Sequence, residues 1–210
     1  PGTGNYTSPE GPSHDADLAK RLLAEAGFPD GAINIVPGLG TEAGWNLSQH
    51  PDVRHLSFTG SVEVGQAIQT EAAKNLVPVT LELGGKSPQI VFEDADLDKA
   101  MPFLVNAGIQ NAGQTCSASS RILVSKKIYP ELATRMAEIY KNLRVGQALD
   151  DLELGPVISQ RQKAVIEKYI KSASDLEELS IGNAMDGLPE KGNYVLPRLF
   201  GNVPNSHKLA

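Results

Sequence analysis

Apolar residues recur at helical spacing along several stretches of the chain. From Asp15, the positions Leu18, Leu22, Leu23 and Ala26 share one helical face, with Ser13 or Asp15 as cap and Gly27 and Pro29 as the stop. Val64, Ala67, Ile68 and Ala72 predict a helix over 62–74. Asp94 or Asp96 can cap a third helix carrying Leu97, Ala100, Met101, Leu104, Val105 and Gly108, with Pro102 inside it as a weakening element. Leu132, Met136, Ile139 and Leu143 mark a fourth, and a fifth after Ser159 carries Val165, Ile166, Tyr169 and Ile170. A short helix is expected within TEAGWNLSQH. Between these lie strand-like runs: AINIV (32–36), HLSF (55–58, read as buried), VPVTLEL (77–83), the end of GGKSPQIVF (84–92) and RILV (121–124). PGTGNYTSPEGP at the start reads as loop, and the chain beyond the fifth helix is weakly patterned.

Alternating strands and helices predict an α/β fold, a parallel sheet with helices on its faces. Gly84 and Gly85 directly after a strand permit a sharp backbone change, which makes them a plausible domain boundary. There is no internal repeat and no low-complexity tract.

Composition narrows the chemistry. With 210 residues and 40% hydrophobic content, the chain can bury a substantial core. A net charge of -6 and no block of Lys and Arg argue against nucleic-acid binding and point to small-molecule work. A single cysteine excludes an internal disulfide and fits a reducing, cytoplasmic compartment. None of His14, His50, His55 and His207 stands at metal-ligand spacing, so no metal site is expected. No apolar run approaches the roughly 20 residues of a membrane span.

Three segments could carry chemistry. The strand HLSF runs into TGSVEVG and a helix; such a turn can present N–H groups to a phosphate, or can be an ordinary strand-to-helix turn that needs glycine. Glu82 in LELGGK ends an apolar strand: a buried carboxyl there would be disfavoured as the anion and suited to a general base, whereas on an open strand it would simply face water. Cys116 in NAGQTCSASSR could sit at a helix start, where the dipole favours thiolate and N–H groups hold an oxyanion, or could be a small buried apolar residue. His50, His55, Trp45 and the tyrosines form no recognisable constellation.

Taken together, AGFPDGAINIVPGLG, HLSFTGSVEVG, VTLELGGKSPQIVFEDADLDKA, NAGQTCSASSRILV and RVGQALDDLELGPVIS resemble the aldehyde dehydrogenase superfamily, in the family's order and about its spacing, over roughly residues 20 to 160. The resemblance implies the C-terminal part of a Rossmann-like NAD(P)-binding domain over 1–83, followed by the N-terminal part of an α/β catalytic domain over 84–210. It implies NAD or NADP as cofactor, a small-molecule aldehyde as substrate, and a homo-oligomeric parent. It makes Cys116 the nucleophile and Glu82 the residue that activates water to hydrolyse the thioester. Cys116's own N–H would be one oxyanion donor. Gly60 and Ser61 become phosphate-side residues, and Gly40, Gly44, Val64 and Leu83 cofactor-wall positions. Lys86 and Asn111 also match motif positions, Lys86 in a structural role first.

Family members are about twice as long. The Asn-bearing motif that completes the oxyanion hole, the EEIFGP segment that grips the nicotinamide ribose and the hairpin used for oligomerisation are absent from this sequence. The chain is therefore expected to be a central piece with little activity alone. Two other readings stand beside it: a truncated, non-catalytic relative that binds nucleotide or a partner, and an enzyme that keeps the same nucleophile but passes the acyl group to coenzyme A. Glu82 argues against the second, since a water-activating carboxylate suits hydrolysis.

Overall fold

The structure is a computed structural model and describes residues 16–29 and 31–210. The expected opening loop and the caps Ser13 and Asp15 lie outside the described residues. The chain divides into two compact units, Pro1–Glu82 and Leu83–Ala210.

In the first unit, α1 (Ala16–Glu25) stops where glycine was expected to stop it. Gly27 takes φ 83, its N–H reaches the Ala24 carbonyl at 3.0 Å, and Phe28 N–H reaches that of Leu23 at 2.9 Å. Those two bonds satisfy carbonyls that the last turn leaves orphaned. A five-residue π-helical turn over Gly40–Gly44 runs into α2 (Trp45–Gln49), the short helix expected there. Next come β1 (Leu56–Gly60), α3 (Val62–Lys74) and β2 (Val79–Leu83), with β1 paired to β2. His55 Nε2 lies 3.1 Å from Thr80 Oγ1, tying the chain before β1 to β2.

Two expectations fail in this unit. AINIV forms no strand: residues 34–37 have no regular structure, and Ile33, Ile35 and Val36 are exposed. An apolar β-type run becomes a strand only when a neighbour supplies its ladder bonds, and these residues have no strand partner among the described residues. HLSF does become β1, but only one face is shielded. Leu56 and Phe58 are half-buried while Ser57, Thr59 and Gly60 are exposed.

The second unit carries the main core. β3 (Pro88–Val91), α4 (Leu97–Ile109) and β4 (Arg121–Val124) make a strand–helix–strand unit, with β3 and β4 parallel and in register from Pro88 with Arg121 to Val91 with Val124. Of the two candidate caps, Asp96 is used: its Oδ1 accepts from Lys99 N–H at 3.2 Å. The helix continues through Pro102, which deprives the Asp98 carbonyl of its donor. Burial of Leu97, Met101, Leu104, Val105 and Ile109 offsets that loss.

α5 (Tyr129–Asn142) packs on α4 and adds Leu132, Met136 and Tyr140 to the same cluster, which Val91, Leu143, Val145 and Leu154 complete. Gly108 makes the close approach possible, because a Cβ there would stand 3.2 Å from the Tyr140 hydroxyl. Burial raises the pKa of that phenol.

β5 (Arg144–Val145), α6 (Gln160–Ser172, capped by Ser159), β6 (Glu177–Ile181), β7 (Asn183–Ala184) and β8 (Arg198–Gly201) complete the unit. β5 and β7 are parallel; β6 and β8 are antiparallel with an irregularity between Glu178 and Ser180. β6, β7 and β8 fall in the stretch whose sequence is weakly patterned. The fold is mixed α/β with parallel strands, as the alternation of elements predicts.

Candidate active site

Strand β1 ends at Gly60, and Ser61 then starts α3, its Oγ accepting from Val64 N–H at 3.3 Å. The expected strand–turn–helix is therefore present, with Gly60, Ser61 and Val64 all exposed at the positive end of a 13-residue helix. Glycine at 60 also has a purely local reason, since a Cβ there would run into the ring of Phe58. Gly40 and Gly44 open and close the π-helical turn and are exposed, and Leu83 ends β2 half-buried.

Of the two readings open for Glu82, the structure has the one in which the side chain faces water. Side chains alternate along β2, so Val79, Leu81 and Leu83 share the half-buried face while Thr80 and Glu82 share the exposed one. Glu82 closes the first unit; Lys86 is exposed shortly after it.

Cys116 is exposed, so it is not a buried apolar residue. Nor does it begin a helix. After α4, Asn111 (φ 52), Ala112 (φ 53) and Gly113 (φ 75) are successive left-handed residues that reverse the chain. A β-turn then follows, closed by Ala118 N–H on the Thr115 carbonyl at 3.0 Å, with Cys116 and Ser117 at its tip. The chain is committed to β4 by Arg121, which leaves no helix beyond the turn. A left-handed residue other than glycine costs roughly 1–2 kcal/mol, so this loop needs outside support.

That support comes from both sides. Behind the turn, Ser119 N–H donates to the Ala107 carbonyl at 2.9 Å, and Gln89 Nε2 donates to the carbonyls of Leu104 (3.0 Å) and Ser119 (3.2 Å). In front of it stands Gln114, which was not a candidate from sequence. Its Nε2 donates to the Asn111 carbonyl at 3.0 Å and its Oε1 accepts from Ile158 N–H at 2.9 Å. A glutamine in a loop has no sequence signal for a partner 44 residues away.

The segment RVGQALDDLELGPVIS sets where Ile158 lies. Arg144 grips Glu153 with Nε–Oε2 3.0 Å and Nη2–Oε1 2.7 Å, and Arg144 N–H adds a third bond at 2.9 Å. The guanidinium holds the Glu153 carboxyl down at about 2. Leu154 and Val157 are buried on either side of Gly155 and Pro156, and Val157 N–H reaches the Asn193 carbonyl at 2.9 Å. An open groove of about 920 Å³ in this unit borders the Cys116 loop through Gly113, Ser119 and Ser120, and α6 through Val165 and Tyr169.

Among the described residues, no group of three His, Cys, Asp or Glu is placed to hold a metal ion, and no helix is long and apolar enough to cross a membrane.

A sequence profile of the aldehyde dehydrogenase family matches residues 8–210. The chain belongs to the aldehyde dehydrogenase family. Cytosolic aldehyde dehydrogenase 1 of Rattus norvegicus is 44% identical over 192 residues, which is 90% of this chain and 38% of the rat protein. The structure of betaine aldehyde dehydrogenase from Staphylococcus aureus in complex with NAD+ superimposes with a TM-score of 0.79 at 37% identity, covering 91% of this chain and 39% of that one. The aldehyde dehydrogenase structure from Bartonella henselae gives 0.79 at 36% identity, over 92% and 41%. The chain thus spans about two fifths of the length of these relatives.

Proposed function

We propose that this chain, within a protein of its relatives' length, oxidises an aldehyde to a carboxylic acid with NAD+ or NADP+. Residues 1–83 would carry part of the cofactor site and 84–210 the nucleophile. The observation that carries this reading is the placement of Cys116: an exposed thiol at the tip of a turn tied down on both sides, inside a stretch that matches the family.

The cofactor fits what the first unit offers. The exposed first turn of α3, beside Gly60 and Ser61, can receive a phosphate on a helix N-terminus, although Ser61 Oγ is already engaged by Val64 N–H. Gly40, Gly44, Val64 and Leu83 would form the surrounding wall. The bound nicotinamide supplies a hydride acceptor.

In the second unit, Cys116 Sγ adds as thiolate to the aldehyde carbonyl carbon, and the electron pair of the C=O bond moves to oxygen. The Cys116 N–H faces that oxyanion as one donor. Loss of hydride from the same carbon leaves an acyl group on Sγ as a thioester. Glu82 then takes a proton from water, the hydroxide adds to the thioester carbon, and the C–S bond breaks to release the carboxylic acid and the Cys116 thiolate, with the proton left on Glu82. Covalent capture holds the carbon in place for the hydride step.

Rapid-mixing absorbance of the reduced cofactor tests this in the complete protein. Cys116→Ala should form none while still binding cofactor. Glu82→Gln should give one burst, stoichiometric with enzyme, and then stall. Identical behaviour of the two variants would refute the separate roles.

A further inference from the structure

We propose that Gln114 is a positioning residue for Cys116: its carboxamide pins the turn that carries the thiol to the backbone of Ile158, just ahead of α6. This rests on reading Cys116 as the nucleophile.

Cys116 has neither a helix nor a strand of its own. The side of its turn toward β4 is held by the Ser119–Ala107 and Gln89–Ser119 bonds. The side toward α4 passes through three consecutive left-handed residues, two of them not glycine, a conformation that persists only where the surroundings over-determine it. Gln114 supplies that determination from two directions. Its backbone N–H and Nε2 both converge on the Asn111 carbonyl, at 3.1 and 3.0 Å, closing the left-handed turn on itself. Its Oε1 then takes Ile158 N–H at 2.9 Å.

Ile158 is a firm anchor for a backbone reason. Its side chain is 85% exposed, so packing does not hold it. The neighbouring Val157 is 4% exposed and bonded to Asn193, and the following Ser159 caps α6 by accepting from Gln162 N–H at 3.1 Å. The amide of Ile158 is therefore fixed between a buried residue and a helix start. Only a side chain that accepts at one end and donates at the other satisfies both bonds. Leucine satisfies neither, and glutamate keeps the acceptor for Ile158 while losing the donor to Asn111.

The test uses the complete protein with Gln114→Leu and Gln114→Glu, and reads three quantities: the burst rate constant of cofactor reduction, KM for the aldehyde, and the rate of Cys116 alkylation by iodoacetamide across pH. Displacing a reacting group by about an ångström can cost on the order of 100-fold. Gln114→Leu should slow the burst at least roughly ten-fold, leave KM within about three-fold and change the alkylation profile of Cys116, followed by peptide mass mapping. Gln114→Glu, with the Ile158 bond retained, should recover most of the burst rate. A folded Gln114→Leu protein with wild-type burst and alkylation overturns the proposal. So does a folded Gln114→Glu protein whose burst is at least roughly ten-fold slower than wild type, a criterion that survives even if the leucine variant does not fold. If the wild-type protein gives no burst with any aldehyde, the dehydrogenase reading fails. The alkylation arm still reports whether Gln114 sets the environment of Cys116.

Discussion

Helices α3 and α4 are both 13 residues long, and each starts with a side-chain cap, Ser61 on Val64 N–H and Asp96 on Lys99 N–H. They differ in what lies beneath them. α4 buries Leu97, Met101, Leu104, Val105 and Ile109 in the cluster that it shares with α5, whereas α3 buries only Gly65 and Ala72. α4 even accommodates Pro102 in its interior. The same local signals thus specify both helices, but tertiary packing stabilises one of them far more. The candidate chemistry divides along the same line. Glu82 and the cofactor-side residues sit on thinly packed elements, and Cys116 hangs from the densely packed unit.

Several substitutions in the 210-residue chain would break or sharpen this contrast, read by urea denaturation. Leu104→Ala empties part of the shared cluster and should cost about 2–5 kcal/mol. A loss below about 1 kcal/mol would mean that the α4–α5 core does not carry the second unit. Ser61→Ala and Asp96→Ala each remove one capping acceptor and should cost about 1 kcal/mol, the same for both helices. A much larger loss at Asp96 than at Ser61 would show that cap and core are not separable.

Glu153→Gln should cost about 1 kcal/mol or less, because the ion pair with Arg144 is half open to solvent. Its pH dependence has a fixed sign. Folding lowers the Glu153 pKa from 4.5 to about 2, so the unfolded chain binds more protons between those values. The stabilisation is complete above about pH 4.5 and is lost as pH falls toward 2, and Glu153→Gln should flatten that part of the acid transition. The smallest effect belongs to Val64→Ala: on the exposed side of α3 it should change stability by less than about 0.5 kcal/mol.

The contrast also explains which features were legible in the sequence. α3 and α4 were, because a cap followed by helical spacing is a local signal, and the structure places α3 over the expected 62–74. The β3–α4–β4 unit followed from alternation alone. AINIV misled because apolar, β-branched residues state only a preference; whether Ile33, Ile35 and Val36 join a sheet depends on a ladder partner elsewhere. β6 and β8 went unread for the converse reason: EELSI and RLFG owe their strand character to each other, from Glu177 with Gly201 to Ile181 with Arg198.

The motifs singled out Cys116 and Glu82, and the structure exposes both, which the sequence left open for Glu82 and did not foresee for the Cys116 turn. Glu82 is exposed because the strand period places it opposite Leu81 and Leu83. Cys116 lies in a β-turn because residues 111–113 turn left-handed, a conformation that the identity of Asn111 and Ala112 does not announce. Gln114 was invisible because the partner of its Oε1, Ile158, lies 44 residues away.

The central claim is that Cys116 forms the covalent bond to substrate. Peptide mass mapping of the complete Glu82→Gln protein, quenched after mixing with an aldehyde and NAD+ or NADP+, tests it most directly. The account predicts an acyl group on Cys116, present in stoichiometric amount and lost when Cys116→Ala is added. Aldehyde oxidation that proceeds in the Cys116→Ala protein, or an acyl group mapped to another residue, would contradict it.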